Sequence, residues 1–153
     1  MNQKSPAGPV SNPDLDAIRA FAAGSRPTGR IDTSPLLVAL GAELIGFDAA
    51  RKEILLRYAP EDLFRQGAGF IQGGAVTAML DFAMAFAGLA AGEAGTTITT
   101  ANMNISFLAP AAGATYEARG WISKQGRRVM FAGAELSAGD RPVAAATSTL
   151  LVV

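Results

Sequence analysis

Apolar positions along the chain fall at two spacings, one helical and one strand-like. After Asn12, the residues Leu15, Ile18, Phe21 and Ala22 make one apolar side, as a short surface helix requires. Asn12-Pro13-Asp14 predicts where that helix begins, with a capping amide, a proline in the first turn and a carboxylate at the positive end of the helix dipole. Gly24 predicts where it stops. Residues 25–30, with Pro27 and Gly29, read as a linker. Ser34-Pro35 opens a short helical turn that runs to Leu40 and ends at Gly41. Two strand-like runs follow, at 42–48 and 52–58, and Asp48-Ala49-Ala50-Arg51 between them suits a hairpin. Residues 60–71 read as a loop in which Gly67 and Gly69 mark tight backbone.

Next, Gln72-Gly73-Gly74 leads into AVTAMLDFAMAFAGLAAG, rich in Ala, Met and Leu and poor in β-branched residues. This predicts a long helix ending near Gly92 or Gly95. Four strand-like runs close the chain, at 97–107, 116–124, 127–137 and 143–152, separated by turn-rich joints. In the first of them Ala101, Met103, Ile105 and Phe107 share one face, and Thr100, Asn102, Asn104 and Ser106 share the other. A run of antiparallel strands with one helix that is apolar nearly all round predicts an α+β fold, a sheet wrapped about that helix. Residues 1–11 read as a disordered arm. The expected organisation is an N-terminal arm and short helix over residues 1–30, then one domain over residues 31–153.

Composition narrows the chemistry. The 153 residues contain no cysteine and no histidine. Thiol nucleophiles, disulfides and Cys-type metal sites are excluded, and so are histidine triads, His-based zinc motifs and a histidine pH switch. Catalysis must rest on carboxylates, Lys, Tyr, hydroxyls, amides or the backbone. Thirteen basic and thirteen acidic residues cancel, which argues against nucleic acid or an anionic membrane as the main partner. The start of the chain is polar and rich in proline, without the apolar core of a signal peptide. The longest apolar stretch, residues 75–91, is short for a membrane span and carries Asp81. These features predict a soluble, cytoplasmic protein.

Projected at about 100° per residue, the central helix has two unlike sides. Gly74, Thr77, Ala78, Met84, Ala85, Gly88 and Gly92 lie near Asp81, while Val76, Met79, Leu80, Phe82, Phe86 and Leu89 lie opposite. The large side should face the sheet. The small side leaves room for another backbone or for a ligand. An ionised carboxylate in such a helix costs several kcal/mol unless it is paired or solvated in a cavity, and Arg119 is the one basic residue between Gln66 and Lys124. Asp81 is therefore a candidate functional acid. Gly73-Gly74 at the helix start fits a function too. The first N–H groups of a helix lack internal partners and carry the positive end of the dipole, and glycine lets a carbonyl approach them. Gly73 and Asp81 are eight residues apart, about 12 Å along the axis. One helix cannot easily bring both to the same carbon. Two antiparallel copies can, with Gly73 of one meeting Asp81 of the other, so the spacing predicts an obligate dimer with two shared sites.

The segment FRQGAGFIQGGAVTAMLDFAMAFA, followed by TTANMNISFLAPAAGATYEARGWISKQGRRVMFAGAEL, resembles the hotdog-fold acyl-CoA thioesterases of the phenylacetate-degradation (PaaI) type. In those proteins His-Gly-Gly opens the central helix, an acid follows on that helix, a strand reads like MNISFLAP, and a Lys-x-Gly-Arg hairpin comes next. The resemblance spans about residues 36–151. It implies a hotdog domain that hydrolyses an acyl-CoA or aryl-CoA thioester without a separate cofactor or metal, CoA being part of the substrate. Asp81 matches the acid that acts as nucleophile or general base. Gly73 matches the glycine whose N–H polarises the carbonyl, Gln66 the amide that places carbonyl or water, and Thr100 a hydroxyl that orients the water. Gln72 stands where most members have His, and it can still donate a hydrogen bond. Gln72, Gly74 and Phe82 are candidates for substrate contact. Arg127 and Arg128, with Lys124, are candidates for the CoA phosphates, or else they form a solvated hairpin end. The family's sites lie across subunit interfaces, which implies a homodimer and, by the family's habit, a homotetramer. A thiolate leaves with little need of protonation, since free thiols have a pKa of about 8.5, so one acid and one oxyanion donor could suffice. The alternative is a module that binds acyl-CoA without turnover, favoured by Gln72. A hotdog hydratase, which needs a catalytic His, is set aside.

Overall fold

The computed structural model describes residues 12–153, so the arm expected at residues 1–11 lies outside the described residues. Helix α1 (Pro13–Ala22) starts as its sequence dictates. The Asn12 side chain accepts the Leu15 N–H at 3.2 Å, Pro13 occupies the first turn, and Gly24 leaves the helix with φ +73°. Strand β1 (Gly29–Arg30) lies within the stretch expected to be a linker. Two residues are too few to show a period, and they become a strand because they pair with the next one. Helix α2 (Pro35–Ala39) has Ser34 as its cap, and Gly41 follows it at φ +59°. A Cβ there would sit 2.4 Å from the Ala59 carbonyl oxygen, so glycine is required twice over.

Strands β2 (Glu43–Asp48) and β3 (Glu53–Tyr58) form the expected hairpin. A 3₁₀ turn (Asp62–Phe64) then leads to helix α3 (Gly73–Ala91), closed by Gly92. Strands β4 (Ile98–Phe107), β5 (Tyr116–Gln125), β6 (Val129–Ala138) and β7 (Arg141–Val152) complete one antiparallel sheet in the order β1-β2-β3-β5-β6-β7-β4. Strand β4 follows the helix yet pairs with the last strand, so it forms one edge of the sheet, with no neighbour on its outer side among the described residues.

The sheet wraps α3, which touches strands β3 to β7. The inner face shows why it can. Ala118, Gly120, Ala132, Ala134, Ala144 and Ala146 line its middle, leaving room for Val76, Met79, Leu80 and Phe86 of the helix. At Gly120 a Cβ would come within 2.2 Å of the Ala83 carbonyl oxygen, so helix and strand are in backbone contact. Helix α1 packs on α3 as well, and its Ala17, Ile18 and Phe21 join the same core. Helix α3 is the one described helix long and apolar enough to cross a membrane, and ten of its residues are buried in this core.

One expectation about β4 is corrected. The register with β7 slips between Thr100 and Asn102, leaving Ala101 unpaired. Thr100 opposes Leu150, and Met103 opposes Ser148, both inward positions. The bulge therefore moves Thr100 from the face of Asn102 and Asn104 to the inner face with Met103 and Ile105. Strict alternation could not show this, because a single extra residue reverses every assignment on one side of it.

Candidate active site

Two polar constellations lie along α3, one at its start and one in its middle. At the start, the loop between the 3₁₀ turn and the helix is folded back on itself. The Gln72 N–H donates to the Phe64 carbonyl at 2.8 Å, the Gln66 N–H to the Phe70 carbonyl at 2.8 Å, and Arg65 pairs with Ile71. Gly69, at φ +84°, makes the turn. The Arg65 guanidinium holds the loop by bonds to Asp62 and to the Gly69 carbonyl. This places Gln66 and Gly73 on one cavity of about 440 Å³, whose walls include Phe70, Ile71, Val76 and Phe107.

The first-turn amides of α3 are unequally used. The Gln72 side-chain carbonyl accepts the Gly74 N–H at 3.0 Å, and the Gln72 backbone carbonyl accepts those of Ala75 and Val76. Among the described residues the Gly73 N–H meets no acceptor. Gln72 is thus the helix cap, and the free amide belongs to the half-buried residue on the cavity.

In the middle of the helix, the half-buried Asp81 accepts the Thr100 hydroxyl at 2.8 Å. Among the described residues no ion pair reaches Asp81. The bulge at Ala101 is what turns Thr100 toward it. The small stripe divides. Gly74, Thr77, Ala78, Asp81 and Ala85 are open or half-open, while Met84 and Gly88 are buried. A Cβ on Gly88 would be 2.8 Å from Ile98 Cδ1, so the lower half of the stripe serves packing. Phe82 is half-buried with its ring against Phe86, 5.4 Å between centroids.

Beneath Asp81, the fully buried Tyr58 donates its hydroxyl to the Met79 carbonyl at 3.0 Å. Burial, reinforced by the negative charge of Asp81, pushes that phenol far above its ordinary range. Tyr58 and Gly120 together hold from the sheet side the helical turn that carries Asp81. Sequence alone gave no sign of Tyr58, whose partner is a backbone atom 21 residues away. A glycine inside a strand was the available signal for Gly120.

Arg127 and Arg128 are exposed in the β5–β6 hairpin, beside the far end of α3, where Gln125 donates to the Ala91 carbonyl at 3.1 Å. Arg127 lines a different cavity of about 500 Å³ with Lys52, Glu93 and Gln125. One chain thus brings Gln66 to Gly73 and Thr100 to Asp81, and it leaves the two pairs and the arginines at separate stations along the helix.

A sheet of this order around one long helix, with this glycine start and mid-helix acid, defines a class of protein, and the comparisons agree. Residues 68–145 match the thioesterase superfamily. The phenylacetic acid degradation-related protein of Ralstonia eutropha JMP134 is 31% identical, with a TM-score of 0.77 over 89% of this chain and 99% of that one. A thioesterase family protein of Silicibacter pomeroyi is 25% identical, with a TM-score of 0.76 over 92% and 98%. A Streptococcus mutans protein whose structure holds acetyl-CoA shares the fold at 19% identity, with a TM-score of 0.65 over 72% and 86%. No curated protein sequence matches. The chain belongs to the thioesterase superfamily and has the hotdog fold of its PaaI-type members.

Proposed function

We propose that this protein hydrolyses an acyl-CoA or aryl-CoA thioester to the free acid and CoA, at two sites shared between the copies of a homodimer. The observation that carries the reading is the Gly73 N–H, which has no partner among the described residues and belongs to a residue lining an apolar cavity together with Gln66. Such a donor at the positive end of a helix stabilises the oxyanion that forms when the thioester carbonyl is attacked. The attacking group is Asp81 of the second copy, or a water that it activates and that Thr100 orients. The distance along α3 supports two copies, because the Gly73 and Asp81 stations are about 12 Å apart and neither moves within a rigid helix. The open edge of β4 supports it as well. It is a ten-residue edge strand whose outward backbone groups have no strand partner among the described residues, beside the half-open face of α3. The acetyl-CoA held by the Streptococcus mutans protein favours CoA as the thiol. Arg127 and Arg128 are suited to its phosphates, since in an antiparallel dimer the far end of one α3 lies by the start of the other. The reaction needs no metal or further cofactor. The chain works as a cytoplasmic enzyme, and a homotetramer built from two such dimers is the expected assembly.

Gln72 first favoured a binding module without turnover. As a cap it occupies the Gly74 amide and leaves that of Gly73 open, which is compatible with catalysis. The test follows CoA release from a panel of aryl- and fatty acyl-CoAs with a thiol reagent. Turnover is expected, and Asp81→Ala should reduce kcat by about 10²–10⁴-fold with the circular dichroism of the native fold retained. Binding of acyl-CoA without release by the wild type would favour the binding module, and full activity in Asp81→Ala would remove the acid from the mechanism.

A further inference from the structure

The cavity at the start of α3 is unusually uniform in chemistry. Gln66 is the one polar side chain among its described lining residues, and no charged side chain lines it. Its volume of about 440 Å³ is roughly three times the ~150 Å³ that admits benzene to an apolar interior. There is room for a ring or a medium chain together with the thioester. A carboxylate placed against these walls would meet no cationic partner among the described lining residues.

Phe107 shapes the part of this space nearest the free amide. It is the last residue of β4 and 57% exposed. Its ring atoms lie 3.4 and 3.5 Å from the point where a Cβ on Gly73 would be. A carbonyl bound at the Gly73 N–H would therefore have this ring beside its first acyl carbons. A straight chain or a flat aromatic group can lie along the ring. A branch next to the carbonyl meets it.

We propose that Phe107 is a specificity-determining residue, selecting acyl groups that are unbranched or flat next to the thioester carbonyl, and that the uncharged walls this chain gives the cavity favour neutral, apolar acyl groups. This rests on the reading of Gly73 as the carbonyl site. Three matched thioesters test it: hexanoyl-CoA, its branched isomer 2-ethylbutanoyl-CoA, and adipoyl-CoA, which carries a terminal carboxylate. For the wild type, kcat/KM for hexanoyl-CoA should exceed that for adipoyl-CoA by about 10²-fold or more and that for the branched isomer by about tenfold or more. Phe107→Ala should narrow the branched gap by about tenfold and leave the adipoyl ratio unchanged. Because the ring is largely exposed, its removal leaves the core intact, which thermal unfolding checks. Equal loss on all three substrates, or adipoyl-CoA turned over as well as hexanoyl-CoA, would overturn the proposal. If the wild type releases CoA from none of them, it is the thioesterase reading that fails. Titration with the non-hydrolysable thioether analogues of hexanoyl- and 2-ethylbutanoyl-CoA then reads the same selectivity as a ratio of Kd values. A ratio that moves in Phe107→Ala supports the residue's role, and one that does not move removes it.

Discussion

Gly73 occupies the first helical position, and its use as a donor can be probed without enlarging its surroundings. Proline is suited to a first helical position, where it removes only an N–H that the helix does not use. Gln72, at φ −61° and ψ 138°, already has the extended backbone that a following proline requires. The space at Gly73 also admits a Cβ, at ordinary contact distance from Phe107. Gly73→Pro should therefore fold normally and lose about 10²–10³-fold in kcat, the usual effect of deleting one oxyanion donor. Rapid assays of CoA release alongside thermal unfolding check both halves of that expectation. The tyrosines give a prediction about pH. Tyr58 and Tyr116 are the two in the chain, and burial raises the pKa of each. Below about pH 10, the ordinary tyrosine value, both phenols are protonated whether the chain is folded or not. Above it the unfolded chain loses protons that the folded chain keeps. The stability that the raised pKa values represent is therefore complete below about pH 10 and is lost as pH rises beyond it. Tyrosinate absorbance should rise together with loss of the far-ultraviolet helical signal. Ionisation of both tyrosines near pH 10 in the folded protein would contradict the burial of the Tyr58 hydroxyl.

At the level of elements, much was legible because its causes are local. Asn12, Ser34 and the glycines at 24 and 41 delimit two helices through their own side chains and dihedrals. The composition of residues 73–91 marks the long helix whatever surrounds it. Asp81, Gly73, Gln66 and Thr100 could be singled out by residue type, position on α3 and resemblance. Their grouping into two stations depended on pairings that no local pattern records. β1 exists only through β2, the slip at Ala101 shows only against β7, and the edge position of β4 follows from its pairing with β7 past β5 and β6. The Tyr58 hydroxyl and the contact of Gly120 with Ala83 are likewise products of tertiary packing. Gly120→Ala tests how firmly the sheet sets the height of the helix. The added methyl would press on the Ala83 carbonyl group and its Cβ, so an overpacking cost of about 1–3 kcal/mol or more is expected. Urea denaturation should show it as a lower midpoint with an unchanged slope. An unaltered midpoint would mean that helix and strand separate more easily than their contact implies.

For the whole molecule, the fold accounts for the two separate stations along α3 that the proposed dimer would join. The sheet must enclose α3 to bury its large side chains, and that enclosure leaves one stripe of the helix open beside the edge strand β4. The stripe carries Asp81 midway and the free Gly73 amide at its start, and a two-fold axis across it would bring each to the other's counterpart. Mixed dimers test this directly. Asp81→Asn and Gly73→Pro should each be inactive alone. When they are unfolded and refolded together, or produced in one cell, half of the dimers combine one of each. In those, one site joins the intact Gly73 of one copy to the intact Asp81 of the other, so about a quarter of wild-type activity should return. Activity of the mixture no greater than that of the separate variants, with mixed dimers shown to be present, would contradict a site shared between two copies.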